Sequence, residues 1–282
     1  MKFSDGFWLN KPGYDVSYAA QMYEITADER SVTVFATSQY IQNRGQTLGG
    51  PCLEITFTST LENSIKVTED HYKGEVRREP KFELYEDNAF RPVINRLEDG
   101  GCELISGRTK VVIGAEKGAW DIRYYYDGRL LTKQGWRTAS YIEESAARTE
   151  SRMLAKKNEA FYADSETDNN AYMRDMFNIS VGENIYGFGE KFTTFVKNGQ
   201  SVDVWNNDGG TCTEQSYKSI PFFVSSKGYG CLVNHPEKVM FEVASETVSK
   251  VAFAVQGQHL EYFVFGGNTI ADVLRAYTDL TG

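Results

Sequence analysis

Leu53-Glu54-Ile55-Thr56-Phe57-Thr58 alternates apolar and polar residues without a break. A period of two puts one set of side chains on each face of a β-strand. Ser64-Ile65-Lys66-Val67-Thr68 repeats the pattern, and Tyr23–Ile25 with Ser31–Ala36 reads as a hairpin whose Val32, Val34 and Ala36 alternate with Thr33 and Phe35. Lys81–Tyr85, Cys102–Ser106 and Thr109–Ile113 continue the series, and Trp120–Tyr126 runs into Asp127-Gly128, a two-residue hairpin signal, before Arg129–Thr132 returns. Strands this short, with turns at this spacing, predict an all-β sandwich. Further strands are expected at 171–179, 220–224, 228–233, 239–243, 250–255 and 262–265. Aromatic residues make up 13% of the chain, which suits strands and also sugar-facing surfaces.

Two regions break the β pattern. Residues 143–159 are rich in Ala, Glu, Lys and Arg with weak apolar periodicity, which fits a solvated helix or a mobile insertion, and 160–170 reads as loop. After Gly266-Gly267-Asn268, Thr269 is placed to cap a helix with Asp272 three residues on. Ile270, Val273, Leu274, Tyr277 and Leu280 then fall on one helical face. The expected division is a β domain over 1–268 and, over 269–282, a helix leading toward a further part.

The net charge of -9 argues against nucleic-acid binding and against an anionic membrane surface. No apolar run reaches a membrane span, and the first residues lack an apolar signal core, so a cytoplasmic protein is expected. Cys52, Cys102, Cys212 and Cys231 form no C-x-x-C pair, and buried reduced thiols are expected. His71, His235 and His259 lie in different segments, which predicts no metal site, and no cofactor motif is present. Glu190 reads as a buried carboxylate satisfied by backbone N–H groups.

The stretch 181–210 carries the most chemistry. Gly187 and Gly189 allow close backbone approach or positive φ, and Lys197-Asn198-Gly199 reads as a hairpin turn. Trp205-Asn206-Asn207-Asp208-Gly209-Gly210 combines a stacking surface, two amides and a carboxylate. It reads either as a tight turn capped by its own Asn and Asp side chains or as a loop that contacts sugar. No carboxylate pair presents itself as acid and nucleophile.

Four motifs in order, 186–192 (YGFGEKF), 205–210 (WNNDGG), 217–223 (YKSIPFF) and 228–236 (GYGCLVNHP), resemble the N-terminal region of glycoside hydrolase family 31. The opening MKFSDGFWL and the terminal VLRAYTDLTG are similar to its bacterial α-xylosidase branch. The resemblance covers nearly the whole chain and is weakest over 140–170. It implies a galactose-mutarotase-like β-supersandwich followed by a (β/α)8 barrel that holds both catalytic carboxylates of a retaining mechanism, so no residue of this chain is expected to be catalytic. It also implies that the loop bearing Asp208, with Trp205, Asn206 and Asn207 beside it, projects into the barrel pocket and that Asp208 contacts the sugar. The partners it implies are a glycoside or oligosaccharide with a terminal α-linked sugar, xylose or alternatively glucose, the chain's own barrel, and further copies in a homo-oligomer. A free-standing carbohydrate-binding sandwich is the competing reading, and mutarotase-like catalysis on the fold's own concave face is a third.

Overall fold

The computed structural model describes residues 1–6, 8–76, 81–114, 118–145, 171–207 and 213–282. In chain order the strands begin with β1 (Ser4–Asp5), β2 (Leu9–Asn10), β3 (Tyr14–Tyr18), β4 (Gln21–Ala27), β5 (Ser31–Thr37), β6 (Cys52–Thr58) and β7 (Ser64–Asp70). There follow β8 (Val93–Arg96), β9 (Cys102–Ser106), β10 (Thr109–Gly114), β11 (Asp121–Tyr126), β12 (Arg129–Gln134), β13 (Ser140–Glu144) and β14 (Ala171–Asn178). The last are β15 (Ile185–Gly189), β16 (Gln200–Val204), β17 (Ser219–Ser225), β18 (Tyr229–Val233), β19 (Val239–Val243), β20 (Lys250–Gln256) and β21 (His259–Gly266), before helix α1 (Ile270–Thr281).

Among the described residues these form three large antiparallel sheets. One runs β15-β17-β18-β21-β7-β6-β5-β4, a second β16-β19-β20-β14-β13-β3, and a third β12-β11-β10-β9-β8. The alternation in β6 is realised: Leu53, Ile55 and Phe57 are buried while the polar residues between them are partly exposed. The inner faces share one core, in which Val34, Ile55 and Val67 of the first sheet, Met173, Phe177 and Phe253 of the second, and Leu104, Val111 and Tyr124 of the third pack together. This is the sandwich expected, with antiparallel pairing throughout the named strands.

Strands β17, β18 and β21 are buried on both faces because α1 covers their outer side. Phe223, Cys231 and Val264 point into the main core, while Phe222, Leu232, Phe263 and Phe265 pack against Val273 and Leu280 of the helix. Continuous apolar runs such as Pro221-Phe222-Phe223-Val224 follow from burial on two sides. The Tyr277 ring stacks on Phe222 at 4.0 Å. Thr269 caps the helix as expected: its side chain accepts from the Asp272 N–H, and the Asp272 carboxylate accepts from the Thr269 N–H.

Several expectations need correction. Residues 81–85 form no strand; Leu84 packs into the cluster under α1 and the Tyr85 N–H donates to the Leu280 carbonyl (2.8 Å), so the alternation there reflects packing on a helix. Lys197-Asn198-Gly199 does not close a hairpin. β15 pairs with β17 and β16 with β19, in different sheets. The Asn198 amide, accepting from the Ile185 N–H (2.9 Å) and donating to the Glu183 carbonyl (2.9 Å), turns the chain from one sheet to the other. The start of the 143–159 segment, expected as a solvated helix or a mobile insertion, belongs to strand β13, and 146–170 lies outside the described residues.

Candidate functional site: the root of the Trp205 loop

β15 and β16 are edge strands of their respective sheets, and the candidate loop leaves the end of β16 where the two margins meet. A bulge between Gly187 and Gly189 shapes that margin. Both glycines have positive φ (120° and 81°), and a Cβ at either would strike the Phe222 or Lys218 carbonyl. The bulge turns Phe188, itself at φ 68°, fully inward against Phe241 of the opposite sheet, with ring centroids 4.7 Å apart. It sends Glu190 outward. Glu190 is exposed and pairs with Lys218 at 2.8 Å, so the buried carboxylate expected at this position is not found.

Val204 is buried at the end of β16, and Trp205, the next residue, is 48% exposed. Side-chain and backbone hydrogen bonds hold this root. The Ser219 N–H donates to the Asn206 side-chain oxygen (3.0 Å), and the Ser219 hydroxyl donates to the Trp205 carbonyl (3.1 Å). The Asn207 N–H donates to the Ser216 carbonyl (3.0 Å), in a short parallel bridge between Asn206 and Ser216. Lys191 Nζ donates to the Ser219 hydroxyl (2.6 Å) and to the Asp203 carbonyl (3.3 Å). Asp203 in turn pairs with Lys238 at 2.5 Å. Burial pulls the Lys191 ammonium below its ordinary value, with the Asp203 charge acting against that pull.

Trp205 and Asn206 line a cleft of about 300 Å³ together with Val204, Ser219, Pro221, Phe82 and the His235–Glu237 corner. A second cleft of similar size shares Phe82, Ser219 and Pro221 and extends toward Tyr277 of α1. The structure therefore gathers Trp205, Asn206 and Asn207 at one fixed root. Asp208, the residue expected to touch sugar, lies outside the described residues, as does Cys212. The Asn206 side-chain oxygen is spent on the Ser219 N–H, 13 residues along the chain, which ties the root to β17 and does not cap a turn within the loop itself.

Sequence reasoning missed Lys191, Ser216 and Ser219 as parts of this root. Lys191 lay within the motif 186–192 and Ser219 within 217–223, with Ser216 just before it, but their contacts span 9 to 28 residues.

The histidines are less scattered than their spacing suggests. The His235 and His259 rings lie 5.6 Å apart. His235 Nε2 accepts from the Glu261 N–H (3.0 Å), which places its proton on Nδ1 toward Glu237 (3.2 Å). His259 Nδ1 meets Asp70 at 2.7 Å, and His71 stacks on Tyr141 at 3.7 Å. Among the described residues no group of three or more His, Cys, Asp or Glu is arranged to hold a metal ion. Nor, among them, is any helix long and apolar enough to cross a membrane.

Residues 53–242 match the family described as glycosyl hydrolase 31 N-terminal galactose mutarotase-like domain. The chain is 37% identical over 282 residues to alpha-xylosidase XylQ of Lactiplantibacillus pentosus, covering all of this chain and 34% of that protein. It is 35% identical to an alpha-xylosidase of Emericella nidulans, again over all of this chain and 36% of that protein. It thus spans about a third of the length of these relatives. Among solved structures, a GH31 alpha-xylosidase from a soil metagenome complexed with xylose superposes with a TM-score of 0.63 at 15% identity, over 92% of this chain and 34% of that one. The cycloalternan-forming enzyme of Listeria monocytogenes superposes at 0.69 and 18% identity, over 94% of this chain and 22% of that one. At those identities the superpositions show the fold alone.

Proposed function

Because the chain belongs to the glycosyl hydrolase 31 N-terminal galactose mutarotase-like domain family, we propose that it is the non-catalytic N-terminal domain of a retaining α-xylosidase. Its β domain, residues 1–268, supplies the loop 205–210 to an active site whose reacting carboxylates reside in a barrel that follows residues 269–282. The observation that carries this reading is full-length similarity to two α-xylosidases, of which this chain matches only a third. The half-exposed Trp205 indole, held at the mouth of a cleft, supports the loop's part in it.

The chemistry asked of the loop is recognition. An indole face stacks on the apolar face of a pyranose ring. The Asp208 carboxylate accepts hydrogen bonds from sugar hydroxyls, and a sugar that leaves it unpaired is disfavoured. Among the described residues around the root, Glu190 pairs with Lys218, Asp203 with Lys238 and Glu237 with His235, so these three carboxylates face cations or a histidine and not one another.

The test compares residues 1–282 with the full-length gene product on aryl α-D-xyloside and aryl α-D-glucoside. The full-length protein is expected to hydrolyse the xyloside in preference, and residues 1–282 neither substrate. Hydrolysis by residues 1–282 alone would overturn the proposal, and saturable binding of a xylose-capped oligosaccharide by residues 1–282 would instead favour a free-standing binding module.

A further inference from the structure

We infer that Lys191 is a positioning residue for the sugar-contacting loop: its ammonium ties the loop's root, which belongs to one sheet, to the margin of the other. The inference rests on the reading that this loop meets the substrate.

The geometry is a relay across two edges. Lys191 follows β15, the edge of the first sheet, and Ser219 opens β17 beside it. Asp203 and Trp205 belong to the end of β16, the edge of the second sheet. Between these margins the ladder offers nothing, because β15 and β16 do not pair. Lys191 Nζ donates to the Ser219 hydroxyl (2.6 Å), that hydroxyl donates onward to the Trp205 carbonyl (3.1 Å), and the same ammonium reaches the Asp203 carbonyl (3.3 Å). A hydroxyl that accepts from a cation is a better donor, since hydrogen bonds in a chain polarise one another. The three contacts fix the backbone on both sides of Val204, and so the direction in which Trp205 and the residues after it leave the sheet.

The ammonium is partly buried, and that burial pulls it below its ordinary value while the Asp203 and Glu214 charges act against the pull. Its donors go to a carbonyl and a hydroxyl at the loop's root. What such an arrangement supplies is direction: a loop leaving an unpaired edge swings freely, and displacement of a recognition group by about 1 Å costs on the order of 100-fold in rate.

The test uses the full-length gene product with Lys191→Met, Lys191→Arg, Ser219→Ala and Asp208→Ala, assayed on aryl α-D-xyloside, alongside thermal unfolding. In 5-fluorotryptophan-labelled chain, ¹⁹F NMR with Trp205→Phe as the assignment control reads the indole directly. Lys191→Met is expected to lower kcat/KM by about 10- to 100-fold, mainly through KM, with the thermal midpoint nearly unchanged and the Trp205 resonance shifted and narrowed by new mobility. Ser219→Ala, which keeps the lysine but breaks the relay, is expected to act in the same direction, and Lys191→Arg to recover part of the loss. If Asp208→Ala lowers kcat/KM while Lys191→Met and Ser219→Ala leave both kcat/KM and the Trp205 resonance unchanged, the positioning role is refuted and the loop's role stands. If Asp208→Ala is silent, the loop's role fails and the positioning role fails with it.

Discussion

Replacing Glu246 by alanine is expected to remove about 3–5 kcal/mol of folding stability, because it strands a buried guanidinium. Arg174 on β14 and Glu246 have side chains that are each only 2% exposed, and they pair at 3.3 Å. The same Glu246 oxygen accepts from the Phe3 N–H (2.9 Å), the Ser4 N–H (2.6 Å) and the Ser4 hydroxyl (2.7 Å). The guanidinium also faces the Phe3 and Tyr18 rings at 5.4 and 5.9 Å. One carboxylate therefore both neutralises a cation inside the sandwich and pins the first strand to it. Urea unfolding measures the effect. A loss below about 1 kcal/mol, the range of an exposed pair, would show that the site takes in water and that the pair is not truly buried. The double variant Arg174→Met with Glu246→Leu is expected to recover most of the loss, since removing both charges leaves nothing unpaired.

Asp175→Ala is expected to cost about 2–5 kcal/mol, by leaving buried donors without an acceptor. The Asp175 carboxylate accepts from the Tyr262 hydroxyl (2.8 Å), from Gln134 Nε2 and from the Met176 N–H (2.6 Å). Those groups come from all three large sheets, so the cluster is a polar bolt through the core. Glu69 on β7 is fully buried beside it, and neither of its carboxyl oxygens meets a well-formed hydrogen bond. Burial first, and then the Asp175 charge, push Glu69 well above the usual carboxylate range, and burial raises Asp175 as well.

The consequence for pH has a definite sign. A carboxyl whose folded value lies above its unfolded one is protonated in the fold while the unfolded chain has already ionised. Its contribution to stability is therefore full at low pH and is lost as pH rises from the unfolded value toward the folded one. Glu69→Gln cannot ionise, so the stability of wild type relative to this variant is expected to fall as pH rises above the ordinary glutamate value of 4.5. Parallel stability curves above that value would contradict the assignment.

Much of the sandwich was legible because half-buried strands write their faces into the sequence. β5, β6 and β7 read directly, and Thr269 with Asp272 announced the helix. The strands that escaped notice had no such pattern. Val93–Arg96 is a mostly exposed edge, while Tyr14–Tyr18 and Ser140–Glu144 lie where burial does not alternate. Sheet membership was also hidden: 181–210 looked like a hairpin because turn chemistry is local, whereas the partners of β15 and β16 lie farther along the chain. The same limit applied to the site. Trp205 and Asn207 could be singled out by type, but what holds them depends on Lys191 and Ser219, and no local rule links a lysine to a carbonyl 12 residues away.

The claim on which the rest depends is that the loop beginning at Trp205 meets the sugar, and Asp208→Ala in the full-length gene product tests it most directly. On aryl α-D-xyloside the variant is expected to lose about 100-fold in kcat/KM, the scale set by removing a charged hydrogen-bond acceptor from a recognition site, with its thermal midpoint unchanged. A variant that unfolds like the wild type and keeps its kcat/KM would show that this loop takes no part in substrate recognition.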